Sequence, residues 1–219
     1  MRIVIAGGHG KIALLLAPLL TRRGHQVHAL IRDQSQAADI AATGGVPVIY
    51  DMERDTPADL AAAVAGSDAV VFAAGAGAGA GSGAARKYTV DLNGSVQLAD
   101  AAEHTGVTRF VQISTMGAGS PPEPGTDEVW AAYLDAKTRA EEDLRSRDLD
   151  WTILRPGVLT DSEGNGLITL GPPPIPRASV PRADVAATLA SILFADNTFR
   201  CTLELVSGSL PIESAVSTI

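Results

Sequence analysis

The sequence predicts a doubly wound α/β domain with a mostly parallel seven-stranded sheet flanked by helices. Three observations predict it. Short apolar runs alternate with longer stretches of helical period, the pattern of a parallel sheet covered on both faces. Glycines stand where several of those helices would end. The chain's 219 residues, 46% of them hydrophobic, supply one ordinary domain with a large core, so residues 1–219 are read as a single unit.

The run Arg2–Ala6 is the first expected strand, and Lys11–Arg23 is the first helix, closed by Gly24. Gln26–Ile31 follows as a strand, then a short helix near Gln34–Ala42 and a third strand at Val46–Tyr50. Pro57–Ala65 is helical and ends at Gly66; Ala69–Ala73 is the fourth strand. A long helix over Arg86–His104 stops at Gly106, before the fifth strand, Arg109–Ile113. Helix Asp127–Ser146, strand Trp151–Leu154, helix Ala183–Phe194, strand Cys201–Val206 and helix Pro211–Thr218 complete the series. Crossovers of this kind are right-handed almost without exception. No internal repeat appears.

Three stretches break the alternation. Ala73–Gly83 is nearly all glycine and alanine and reads as a flexible loop. A second holds Pro121, Pro122 and Pro124, and a third, Gly157–Pro181, is rich in proline and glycine. They follow strands four, five and six, so on a doubly wound sheet they gather at the edge where ligands bind.

Charge narrows the partners. A net charge of -8 and a pI near 4.9 lack the basic footprint of nucleic-acid binding. No apolar run is long enough to span a bilayer, and the N-terminus enters a strand without a signal-like region, so a cytoplasmic location without membrane attachment is expected. Cys201 is the one cysteine and reads as a small buried hydrophobe. No metal site is expected, and the oligomeric state is not legible.

The strongest local motif is Gly7-Gly8-His9-Gly10-Lys11-Ile12-Ala13, between the first strand and the first helix. Gly7 permits a tight turn, Gly10 lets backbone approach a pyrophosphate, and Ala13 lets helix and strand pack closely. Amides at the helix start, at Lys11 and Ile12, then meet phosphate. The spacing departs from G-x-G-x-x-G, with Gly8 an extra glycine and Ala13 closing the motif. His9 is either an exposed loop histidine or a pyrophosphate contact. After the second strand, where a carboxylate commonly reads the ribose of NAD(H), Arg32 comes first. A guanidinium there suits a 2'-phosphate, so NADP(H) is expected ahead of NAD(H). The adjacent Asp33 takes the ribose hydroxyl if Arg32 points away. Asp51 and Met52 stand where they would meet adenine, or are simply turn residues.

Tyr133 and Lys137, four apart, share one helix face, so the ammonium favours a phenolate and can hold a ribose. That pair is a candidate general acid. Ser114 and Thr115, at the end of the fifth strand, offer hydroxyls to a carbonyl oxygen, with Thr115 preferred.

Together with Val70-Val-Phe-Ala-Ala-Gly75, Val90-Asp-Leu-Asn-Gly94, Phe110-Val-Gln-Ile-Ser-Thr115, Trp151-Thr-Ile-Leu-Arg-Pro-Gly157 and Pro181-Arg-Ala-Asp-Val185, these motifs span nearly the whole chain. The chain resembles an atypical short-chain dehydrogenase/reductase of the compact NAD(P)-binding group, with a Rossmann fold. The resemblance implies that Ala73, Ala74 and Gly75 lie under the adenosine ribose. It also implies that Pro156, Gly157 and Val158 pass the nicotinamide, that 157–181 forms one wall of a substrate pocket, and that Arg182 and Asp184 anchor the following helix. Because that segment is short and holds no basic residue beyond Arg177 until Arg182, a small carbonyl or quinone-like substrate is expected rather than a sugar nucleotide. The expected reaction is hydride transfer from NADPH, with Tyr133 giving the proton, Lys137 favouring the phenolate and Thr115 holding the oxygen. The alternatives are a non-catalytic NAD(P)-binding redox sensor and, third, an epimerase.

Overall fold

The computed structural model describes residues 1–77, 83–122 and 125–219. Part of the glycine–alanine loop, from Ala78 to Ser82, and Pro124 of the proline cluster lie outside the described residues.

Seven strands build the parallel body of the sheet. They are β1 (Arg2–Ala6), β2 (Gln26–Ile31), β3 (Val46–Ile49), β4 (Ala69–Phe72), β5 (Arg109–Ile113), β6 (Asp150–Pro156) and, after three short strands, β10 (Cys201–Ser207). Every strand read from the sequence is among them. The full sheet is larger than expected, with nine strands: β8 (Leu167–Gly171) pairs antiparallel with β10, and β11 (Leu210–Pro211) pairs antiparallel with β8. A further parallel pair, β7 (Val158–Thr160) with β9 (Ser179–Pro181), stands apart. Thus 157–181, expected to be loop, carries three short strands. Its proline and glycine content hid them, although Ile168 is fully buried while neighbouring Leu167 is 37% exposed, a period-2 alternation. Proline survives in β11 because that strand is at the edge, where a missing N–H costs no ladder bond.

Both faces of the sheet are buried, so β1 reads as a continuous apolar run. Ile3 and Ile5 pack with α1 (Lys11–Thr21) and α7 (Arg182–Ile192) through Leu16, Leu20, Val185 and Leu189. Val4 and Ala6 point the other way, to Leu60 and Val64 of α3 (Pro57–Val64) and Leu98 and Ala102 of α5 (Asn93–Thr105). Burying such side chains contributes about 1.5–3 kcal/mol each. Gly24, Gly66 and Gly106 all take positive φ where a helix ends, as their positions require.

The expected helix Arg86–His104 is composite. A short turn, α4 (Ala84–Arg86), runs into a π-helical segment, Lys87–Leu92, before α5. The remaining α-helices are α2 (Ala37–Ala42), α6 (Glu128–Arg145) and α8 (Ile212–Ser217). Cys201 is half-buried at the start of β10, not fully buried. No helix among the described residues is long and apolar enough to cross a membrane.

Strand order reverses between β1 and β4: β2 and β3 extend one way, β5, β6 and β10 the other. At such a switch point the loops leaving adjacent strands part, opening a crevice at their carboxyl ends.

Candidate functional site

The glycine turn lies in that crevice. Gly7 has φ +78°, and a Cβ there would come within 2.5 Å of the Ala74 Cα, so β1 and β4 approach too closely for any side chain. Gly8, unexplained by the motif, packs on β2: a Cβ would be 2.5 Å from the Ala29 Cβ. Gly10 differs. A Cβ there would meet the Gly7 carbonyl at 3.1 Å and little else, leaving open space before α1. Helix α1 starts at Gly10 with no side-chain cap, so its first-turn amides at Lys11, Ile12 and Ala13 lack a protein cap. The His9 ring Nε2–H donates to the Asp39 carboxylate at 2.7 Å, tying the turn to α2.

A pocket of 270 Å³ opens beside this turn, lined by Gly7, His9, Gly10, Arg32, Asp51 and Met52 among others. Arg32 is exposed, with no hydrogen bond or ion pair among the described residues. Asp33 is turned onto its own chain: its Oδ1 accepts the Ser35 amide and hydroxyl, both at 2.8 Å. Those bonds, the amide first, hold its carboxyl below the usual range. Asp51 accepts the Glu53 amide at 3.0 Å, and Met52 lies over Gly94, where its Sδ would be 2.5 Å from an added Cβ. Tyr50 lines the same wall, and its hydroxyl is buried without a partner among the described residues.

Ala73, Ala74 and Gly75 line this pocket and also a second cavity of 720 Å³, so the two form a continuous groove. The second holds Ile12, Ser114, Thr115, Tyr133, Lys137, Gly157 and Val158. Pro156 is buried at the end of β6, its carbonyl accepting the Met116 amide at 3.1 Å, and does not line the cavity. Lys137 is 3% exposed; its ammonium donates to the Ile113 carbonyl at 3.2 Å and lies 3.3 Å from Asp91. Tyr133 is half-buried, its ring 5.1 Å from Trp130 and 5.8 Å from the Lys137 ammonium.

The two hydroxyls after β5 separate. Ser114 donates at 2.5 Å to Glu141, which is fully buried and also accepts from Arg155 and Arg145. That leaves Thr115 as the hydroxyl of the pair not held by a carboxylate. Glu141→Ala would strand the buried Arg155 guanidinium, so we expect a loss of about 3–5 kcal/mol in urea unfolding. A loss below about 1 kcal/mol would show that the network does not support β5 and α6.

Arg182 and Asp184, at the start of α7, are each bonded to neighbouring loops. Asp184, in the first turn of α7, reaches back to the Asn165 and Gly166 amides at 3.2 and 2.9 Å. Arg182 lines the cavity and donates to Asp161 at 2.6 Å, an aspartate that Lys11 also reaches at 2.6 Å. The Lys11 bond foremost holds the Asp161 carboxyl below its ordinary value. Arg177 lies outside the cavity lining and donates to the Met116 carbonyl at 3.1 Å. Sequence reading missed Lys87 and Asp91, both buried in the π-helical segment and both lining the cavity. Their i, i+4 spacing, which puts both on one helix face, was the available signal. No group of three or more potential metal-ligating side chains occurs among the described residues.

Fold and groove define a compact dinucleotide-binding domain with an atypical short-chain dehydrogenase/reductase-like architecture. The chain belongs to the NAD(P)H-binding family, whose model matches residues 7–196. It is similar to the Bacillus subtilis protein YhfK, named an uncharacterized sugar epimerase, at 30% identity over 99% of each chain. A Bacillus halodurans structure named for NAD-dependent epimerase/dehydratase activity superposes with TM-score 0.89 at 33% identity, over 100% of both chains. The oxidoreductase ylbE of Lactococcus lactis gives TM-score 0.85 at 29% identity, over 100% of this chain and 96% of that one.

Proposed function

We propose that the protein is an NADP(H)-dependent oxidoreductase that reduces a small carbonyl or quinone-like substrate, with Tyr133 as general acid. One observation carries the reading: Thr115, Tyr133 and Lys137, from two separate elements, line one cavity continuous with the glycine turn. The groove fits a dinucleotide, because Gly10 leaves the uncapped start of α1 open to a pyrophosphate. When bound, the reduced cofactor supplies a hydride to the carbonyl carbon.

The chain's own residues do the rest. Lys137 is fixed by Ile113 and Asp91 and keeps donor capacity for a ribose hydroxyl. Tyr133 gives its proton to the carbonyl oxygen, Thr115 donates to that oxygen, and the alcohol leaves. A small substrate suits a wall built from three short strands and their connections.

Preference for the phosphorylated cofactor rests on Arg32, exposed and unpaired among the described residues, beside an Asp33 already bonded to Ser35. NADPH should bind about 10- to 100-fold tighter than NADH, as a charge-assisted hydrogen bond at an exposed site provides. Arg32→Ala should remove most of that difference by weakening NADPH alone, and added salt should shrink it. Fluorescence titration of both cofactors checks this. Equal affinities in the wild type, or an Asp33→Ala variant that selectively loses NADH, would assign the ribose to Asp33 instead.

A further inference from the structure

Three cations line the cavity that holds Tyr133, and two have carboxylate partners: Lys137 with Asp91 at 3.3 Å, and Arg182 with Asp161 at 2.6 Å. Lys87 has none among the described residues. It is only 7% exposed, and its ammonium donates a single hydrogen bond, to the Gly77 carbonyl at 2.7 Å. The same ammonium lies 5.5 Å from the centre of the Tyr133 ring. An ammonium has three donors, and burying its charge without a counter-charge costs far more than one carbonyl returns.

We propose that Lys87 is an anion-binding residue of the substrate site and that the substrate carries a carboxylate beside its reducible group. The buried ionic set is Lys87, Lys137 and Asp91, two positive charges and one negative, so one monoanion completes it. Asp127 also lines the cavity but is exposed and accepts the Val129 and Trp130 amides as the cap of α6. Consecutive helical residues point apart: Arg86 faces the cofactor-side pocket and pairs with Glu53 at 2.6 Å, whereas Lys87 faces the Tyr133 cavity. Lys87 does not line the pocket of Gly10 and Arg32, so a phosphate of the dinucleotide is not its counter-ion. Val129, Trp130 and Val158, partly exposed at the same cavity, offer apolar contact to the body of such a substrate.

This inference rests on the proposed function only in placing substrate beside Tyr133, and its test needs no turnover. Binding of 4-fluorobenzoate and of its neutral counterpart 4-fluorobenzamide is measured by fluorine NMR on the full chain, with and without NADP⁺. The wild type should bind the benzoate at least about 10-fold more tightly than the amide, the scale of one charge-assisted hydrogen bond. Lys87→Met should bring the two ligands to parity, and Lys87→Arg should retain the preference. If Lys87→Met does not fold, Lys87→Gln serves in its place. Equal affinities in the wild type, no detectable benzoate binding, or a preference that survives loss of the ammonium would each overturn the assignment. NADPH binding is followed in parallel: its absence alongside an intact benzoate preference refutes the cofactor reading and leaves this one standing.

Discussion

Tyr133→Phe is expected to lower turnover by about 10²- to 10⁴-fold, the usual contribution of a positioned general acid, with NADPH affinity unchanged. The substitution removes one hydroxyl and keeps the ring. That ring packs against Trp130 at 5.1 Å and lies near the ammonium groups of Lys87 and Lys137, at 5.5 and 5.8 Å, contacts that phenylalanine preserves. A drop in kcat with equal cofactor affinity therefore reports lost proton transfer, because an interaction made only in the transition state lowers kcat. Wild-type turnover in the variant would place the acid elsewhere.

Gly10→Val should abolish dinucleotide binding and leave the fold intact. Gly10 has φ -68° and ψ 150°, extended backbone that valine adopts readily, and its Cβ direction meets the Gly7 carbonyl at 3.1 Å and the Ala73 carbonyl at 3.8 Å. A branched side chain there fills the open space before α1, where the pyrophosphate would sit. Gly7→Val is the contrasting control. At φ +78° and 2.5 Å from the Ala74 Cα, a side chain must push β1 from β4, so that variant should lose stability as well as binding. Circular dichroism melting beside NADPH titration separates the two outcomes. An unchanged affinity in Gly10→Val would remove the phosphate site from this turn.

The seven parallel strands were legible because burial on both faces forces near-continuous apolar runs such as Ile3-Val-Ile5, and the left-handed glycines marked helix ends directly. β8 was not. It is short, flanked by glycine and proline, and stabilised by antiparallel pairing with β10, a long-range contact with no local signature. The glycine turn and the Tyr133–Lys137 spacing could be read as motifs, since each depends on neighbours within a few residues. Thr115 was preferred over Ser114 from the sequence, but the carboxylate that holds the serine, Glu141, stands 27 residues beyond Ser114 and had no local signal. Lys87 was hidden for a related reason: a helix was foreseen there, and the i, i+4 spacing puts it and Asp91 on one face, but nothing local says that this face meets the cavity of Tyr133.

The most direct test of the central claim is single-turnover fluorescence of NADPH bound to the wild-type protein, mixed with a panel of quinones, aldehydes and ketones. The geometry of Thr115, Tyr133 and Lys137 predicts that at least one acceptor, best if it carries a carboxylate, quenches the bound cofactor's fluorescence rapidly in the wild type and far more slowly in Tyr133→Phe. NADPH that binds tightly yet is oxidised by no acceptor, in wild type and variant alike, would contradict catalysis and make the chain a dinucleotide-binding sensor.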